Sequence, residues 1–232
     1  MIKAVFFDLY HTLISYHPPR EESLSASLGR RGIIRSPQQL RRPLIAADEY
    51  FYEQGSRKGI SQRNHEETLA LWTNYQAVLL TEAGLKPEPA LIQGVLGDMQ
   101  KIKYEMVLFD DVLPAFTGLV ERGLLLGLIS NIDKDVIPIL DKVGITSWLQ
   151  VKMTSAEAGV TKPHPAIFQR AVAQAGLANH EVLYVGDQYQ VDVLGARQAG
   201  LKGLLIDRGG YFDDVPKAEK ICGLVELSSH LG

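Results

Sequence analysis

The side chains able to do covalent or acid–base chemistry fall in four short clusters: Asp8-Leu9-Tyr10-His11-Thr12, Ser130-Asn131, Lys162-Pro163-His164-Pro165, and Gly186-Asp187 with Asp192 five positions on. Asp8 is suited to attack an electrophilic phosphorus or carbon, dividing one hard displacement into two through a covalent intermediate. An aspartate in that setting could equally cap a helix. Brought together, three carboxylates repel by several kcal/mol per pair, about 4 kcal/mol at 4 Å for an effective dielectric near 20, so a cation has to hold them. Lys162 supplies one charge, and a hard divalent ion with oxygen ligands supplies the rest. Carboxylates, a backbone carbonyl and waters, with no Cys or His in the pattern, suit Mg²⁺.

Such residues need a scaffold, and the apolar runs describe one. Ala4 to Phe7, Leu124 to Ile129, Val182 to Val185 and Gly203 to Ile206 read as strands buried on both faces, with a weaker fifth at Leu149 to Met153. Helical patterns lie between them at Val112 to Arg122, Lys134 to Val143, Pro165 to Ala175 and Val191 to Ala199, each closed by Gly (Gly123, Gly144, Gly176, Gly200). Alternating strand and helix predict an α/β fold: a Rossmann-like, three-layer core around a parallel sheet. In such a sheet ligands sit beyond the carboxyl ends of the strands, which is where the polar clusters fall. From about Tyr16 to Leu108 the rhythm breaks. That stretch shows no convincing strand and reads as helices at Glu21 to Arg31, Pro37 to Gln54, His65 to Gly84 and Glu88 to Val107, with a loop at Gly55 to Asn64. The expected division is a core of residues 1–15 and 109–232 with an all-helical cap of residues 16–108. Near the end, a last strand around Ile221 to Val225 and a closing helix are expected.

In this order at strand ends, the four clusters resemble the haloacid dehalogenase superfamily of hydrolases, whose pattern is DxDx(T/V), then Ser/Thr, then Lys, then an acidic pair. The helical insert after strand one is similar to that family's C1-type cap. The resemblance implies a Mg²⁺-dependent hydrolase acting on a small organic phosphate through an aspartyl-phosphate on Asp8. Direct metal ligands would be Asp8, Asp187 and the carbonyl oxygen of Tyr10, with Asp192 a ligand or an anchor behind them. Ser130, the Asn131 N–H and Lys162 would meet the phosphoryl group, helped by the positive end of the following helix, where Asp133 could be the N-cap. Thr12 would orient the nucleophile.

The chain departs from the family's phosphatases at Tyr10, where a second Asp usually protonates the leaving oxygen and then activates water. DxYxT is the first motif of the 2-haloacid dehalogenase branch, whose halide leaves unprotonated, so a halogenated acid is a competing substrate. Against it stand the retained Gly186-Asp187 and Asp192, Phe168 where that branch places Tyr six residues after the lysine, and His11 where it places Gly. A phenol of pKa near 10 donates a proton but is a poor base at neutral pH, which predicts slow turnover of alkyl phosphates. His11 could substitute, although an idle loop histidine is the simpler reading. A weak or inactive member that binds a phosphorylated ligand is the third reading.

With 24 basic and 27 acidic residues in 232, the chain carries a net charge of -3 and lacks the basic face of a nucleic-acid or anionic-lipid binder. One cysteine, Cys222, excludes an internal disulfide. The longest apolar runs are far short of the roughly 20 residues that span a bilayer, and the first residues have no secretory-signal pattern, which points to the cytoplasm. Arg41 and Arg42 could meet a substrate anion, and Arg57, Lys58 and Arg63 could close over one, but solvated surface positions explain them as well. Tyr50-Phe51-Tyr52 and Trp72 are read as cap core or as the seam between cap and core. Oligomeric state is not legible.

Overall fold

The computed structural model describes residues 1–231. The chain divides into two compact units, Met1–Ser15 with Met106–Gly232, and Tyr16–Glu105. In chain order the strands are β1 (Ala4–Phe7), β2 (Ile14–His17), β3 (Glu105–Leu108), β4 (Leu125–Ser130), β5 (Val151–Thr154), β6 (Val182–Gly186), β7 (Lys202–Ile206) and β8 (Lys220–Ile221). The helices are α1 (Arg20–Gly29), α2 (Pro37–Arg57), α3 (His65–Glu82), α4 (Pro89–Met99), α5 (Val112–Glu121), α6 (Ile137–Val143), α7 (Ser155–Ala158), α8 (Pro165–Gln174) and α9 (Gly195–Gln198).

Six strands form a parallel sheet in the order β5-β4-β1-β6-β7-β8. The first strand is central because every residue in it is apolar and both faces are covered. Alternation along it feeds two separate cores: Val5 and Phe7 pack with α5 residues such as Phe116, whereas Ala4 and Phe6 pack with Ile167, Phe168 and Tyr184. Helices on both faces make three layers, as expected for the α/β class. Gly127 on β4 has a specific reason to be glycine, since a Cβ there would lie 2.5 Å from the Phe6 ring. Gly123, Gly144, Gly176 and Gly200 all take positive φ, between 68° and 87°, the left-handed conformation that ends helices.

The second unit is built on α1 to α4 around Leu24, Leu28, Leu40, Leu79 and Val95. Its longest helices begin at sequence-encoded caps. At the start of α3 the Asn64 side chain accepts from the Glu67 N–H (2.8 Å) while Glu67 accepts from the Asn64 N–H (3.0 Å).

Several boundaries differ from expectation. The stretch read as strandless begins and ends in strand: β2 and β3 form a two-stranded sheet, and α4 stops at Met99 rather than near Val107. From Lys101 to Leu108, exposed and half-buried residues alternate strictly, with Ile102, Tyr104, Met106 and Leu108 turned inward; that period of two belongs to a strand and was masked by the helical pattern before it. The loop expected at Gly55 to Asn64 is partly helical, since α2 runs to Arg57 and a short turn covers Ile60–Gln62. The second helix of the core, α6, starts at Ile137, not Lys134. Val191 to Ala199 is split between a wide π-helical segment, Tyr189–Leu194, and the single turn of α9. The closing helix is a 3₁₀ run, Leu224–His230.

Candidate active site

The strand order reverses around β1, with β4 on one side and β6 on the other, so the crevice at its carboxyl end is the place for a ligand. Register delivers the residues. Phe7 pairs with Leu128 on β4 and with Val185 on β6, so Asp8 follows at the strand end, Ser130 closes β4 and Asp187 comes directly after β6. Carboxylate oxygens of Asp8, Asp187 and Asp192 lie within 4.8 Å of one another. That is close to the roughly 4.2 Å between opposite ligands of an octahedral Mg²⁺.

Asp192 reaches this cluster because of two local features. The π-helical segment is wider than an α-turn and accommodates the five-residue spacing from Asp187. Gly186 then lets the carboxylate lie against the strand: a Cβ on Gly186 would sit 2.3 Å from Asp192 Cγ. Both Asp192 oxygens are engaged, Oδ1 by Lys162 (2.7 Å) and Tyr184 (3.1 Å), and Oδ2 by the Gln188 N–H (3.0 Å). Asp8 differs. Its Oδ1 accepts from Lys162 at 2.6 Å, but its Oδ2 is buried with no hydrogen-bond partner. A buried, bare carboxylate oxygen costs free energy unless a donor or cation occupies its free side, and the donor set around it is the oxygen-rich kind that Mg²⁺ prefers. The residues therefore fit the ion.

Burial is the main influence holding the Asp8 carboxyl up at about 6; the Lys162 ammonium pulls it down, and the Asp192 carboxylate pushes it further up. Lys162 loses hydration on burial, yet the two carboxylates more than compensate and keep its ammonium charged, with its pKa raised. The lysine is held at both ends. Asn131 Nδ2 donates to the Lys162 carbonyl (3.0 Å) and Asn131 Oδ1 accepts from its N–H (2.6 Å). At the other end Nζ donates to Asp8, Asp192 and the Tyr184 hydroxyl, the last at 2.8 Å. An ammonium has three N–H groups, so none is left for a phosphoryl oxygen while these partners stay in place.

Other expected positions fall out differently. The Thr12 hydroxyl makes no hydrogen bond to Asp8 and is buried without a partner; the Thr12 carbonyl is the group that is used, accepting from Arg208 (2.8 Å). That guanidinium also grips Asp111 with two 2.9 Å hydrogen bonds and lies 3.8 Å from the Phe109 ring centroid. Because α6 begins at Ile137, its N-terminus starts six residues after Asn131 and Asp133 is not its cap; Asp135 accepts from the Ile137 N–H instead. In the helical unit Arg41 is paired with Glu21 (2.8 Å), Arg57 with Glu53 (2.6 Å) and Lys58 with Glu67 (2.7 Å), while Arg63 donates to the Gln54 and Lys58 carbonyls. Burial raises the Glu49 carboxyl, and Arg42 is the nearby cation that offsets part of that rise. Phe51 stacks on Trp72 with centroids 5.2 Å apart, but Trp72 is exposed and Tyr50, Phe51 and Tyr52 are half-buried, so the cluster borders the core of the helical unit rather than filling it. Tyr184, Arg208 and the Asn131 side chain went unread in the sequence, where Tyr184 is one aromatic residue of a buried strand and the others carry no motif.

A nucleophile-grade carboxylate, a buried lysine and further acids at the switch point of a parallel sheet define an α/β enzyme that works at its strand ends. Residues 2–200 match the haloacid dehalogenase-like hydrolases, and the chain belongs to that family. It is 30% identical over 219 residues to glyceraldehyde 3-phosphate phosphatase of Methanopyrus kandleri, covering 94% of this chain and 89% of that protein. To ribulose-1,5-bisphosphate 5-phosphatase of Halopiger xanaduensis it is 28% identical, covering 95% and 91%. The fold is shared with a 2-haloacid dehalogenase from Pseudomonas syringae pv. Tomato, with TM-score 0.56 and 23% identity over 100% of this chain and 98% of that one.

Proposed function

We propose that the chain is a Mg²⁺-dependent phosphatase acting on small organic phosphates. The observation that carries this reading is the acidic trio with its bare, buried Asp8 oxygen: a site whose charge calls for a divalent cation suits a phosphate dianion better than a halocarboxylate. Two relatives named as phosphatases of small sugar phosphates support it. Asp8, Asp187 and the Tyr10 carbonyl would hold the ion, with Asp192 the anchor that ties Lys162 and the π-helical segment to it. When bound, Mg²⁺ offsets negative charge on the cluster and on the phosphoryl oxygens.

The chain's own residues then do the following. An Asp8 carboxylate oxygen forms a bond to phosphorus as the bond from phosphorus to the leaving oxygen breaks, giving an aspartyl-phosphate and the departing alcohol or phenol. Ser130 and the Asn131 N–H cradle the equatorial oxygens, and Lys162 keeps Asp8 ionised and oriented. Water next attacks phosphorus, releasing inorganic phosphate and restoring Asp8. A phenol keeps its proton at neutral pH, being a weaker acid than a carboxylic acid and a poor base for water, so leaving groups that depart as anions are favoured and the proton of the attacking water goes out with the released phosphate. The residues 16–105 act as the cap that selects the substrate, and the compartment is the cytoplasm.

Tyr10 keeps a second reading in view: a 2-haloacid dehalogenase using Asp8 on carbon. The deciding experiment supplies a chromogenic aryl phosphate or 2-chloropropionate, with Mg²⁺ or with a chelator. Phosphate release that requires Mg²⁺ is expected; chloride release that resists the chelator would establish the dehalogenase instead, and silence on both with retained binding of a phosphorylated ligand would leave a non-catalytic binder.

A further inference from the structure

The Lys162 ammonium is among the most buried charges in the molecule, with 3% of its side chain exposed. Its backbone is pinned on both sides by Asn131, which leaves the far end of a four-carbon stem to be located. Asp8 and Asp192 attract that end from two directions, but two carboxylates define a line of pull, not a point. The third contact comes from the middle of β6, where the Tyr184 hydroxyl accepts from Nζ at 2.8 Å. The same hydroxyl has two acceptors for its own proton at 3.1 Å, Asp192 Oδ1 and the Ile129 carbonyl of β4, so it is anchored across β1 to the strand on the far side. The ring beneath it is fully buried and fixed edge-on by Phe168, centroids 5.1 Å apart at 90°. Few parts of the site are so rigidly mounted.

We propose that Tyr184 is a positioning residue: its hydroxyl takes the third N–H of Lys162 and fixes the ammonium in the notch between Asp8 and Asp192. It touches neither substrate nor the attacking oxygen. Phe168 stands six residues after the lysine and offers no hydroxyl, and the hydroxyl beside the ammonium is supplied from β6.

The rate effect rests on the phosphatase reading above, whereas the structural effect does not, so both are measured. Tyr184→Phe keeps the ring and removes the hydroxyl, with its contacts to Lys162, Asp192 and the Ile129 carbonyl. In the parent background it strands one buried N–H and should lower the thermal midpoint, recorded in chelator, by about 2–6 °C. In a Lys162→Met background no N–H is left to strand and only the bonds to Asp192 and the Ile129 carbonyl are lost, so the same substitution should shift the midpoint by about half as much or less. On an aryl phosphate with Mg²⁺, Tyr184→Phe should lower kcat about 10–100-fold, the usual effect of removing a group that orients a functional side chain, with KM within about threefold. Equal midpoint shifts in both backgrounds, or a kcat within about twofold of the parent, would overturn the assignment. Should the parent release no phosphate at all, the phosphatase reading fails, and the coupling of the two midpoint shifts still decides whether Tyr184 holds Lys162.

Discussion

Tyr10 and His11 are the two residues at which this site is least conventional for the chemistry proposed. If the phenol of Tyr10 limits turnover because it cannot act as a base, Tyr10→Asp should raise kcat on a simple sugar phosphate about tenfold or more, within the range that general acid–base help supplies. An unchanged kcat would place the bottleneck elsewhere. His11 carries a separate cost: its φ is 59°, the one positive value outside glycine among the described residues. A non-glycine residue pays about 1–2 kcal/mol for that conformation. Glycine avoids it but loses more entropy on folding, so His11→Gly should be neutral or stabilising by up to about 1 kcal/mol in urea unfolding, and His11→Val destabilising by about 1–2 kcal/mol. A His11→Gly variant that is clearly less stable would show that the imidazole's contacts outweigh the strain.

At the scale of elements, what was legible and what was not follow from distance along the chain. Strands such as β1 and β6 are short apolar runs buried on both faces, and that pattern is local. The start of β3 was hidden because its period-two alternation follows α4 without a glycine or proline between them. Asp8 and Asp187 could be named because each directly follows a strand, a position that periodicity locates, while Lys162 beyond α7 and Asp192 in the π-helical segment were legible only from their place in the ordered family pattern. Tyr184 could not be named, because its partner is 22 residues away and nothing in Val-Leu-Tyr-Val marks a hydroxyl as used. The same holds for Asp111, just ahead of α5. Burial pushes its carboxyl up, but the Arg208 hydrogen bonds, the Leu224 N–H and the guanidinium charge outweigh burial and leave it below its ordinary value. A depressed carboxylate stabilises the fold above its unfolded pKa, near 3.9, and the gain disappears as pH falls through the folded value. The stability lost on Asp111→Asn should therefore be full at pH 6 and shrink steadily below about pH 4. A loss independent of pH would mean that packing, not charge, holds this joint.

Across the whole molecule, each of the two units has an apolar interior and a cluster of inward-facing charge, which in the sheet unit is Lys162 with Asp8 and Asp192. The sheet unit has apolar cores on both faces, and in the helical unit the charge forms a half-buried ionic knot: Arg20 donates to both oxygens of Asp48, at 3.0 and 2.5 Å, and Tyr75 donates to Asp48 Oδ1 at 2.8 Å. Removing Asp48 leaves a cation and a phenol without their shared acceptor. Asp48→Ala should cost about 2–4 kcal/mol in the helical unit, less than a fully buried pair because both side chains retain some exposure (21% and 12%). Hydrogen exchange resolved by segment would check this, with protection falling in α1 to α3 and holding in β1, β4 and β6. Uniform loss across both units would instead mean that they unfold as one.

The pairing of β2 with β3 has a further consequence for how such a protein diversifies. Outgoing and returning chain meet at one two-stranded ribbon, so everything between those strands is an excursion with adjoining start and finish. A lineage can lengthen, shorten or exchange that excursion without altering a single rung of the six-stranded ladder.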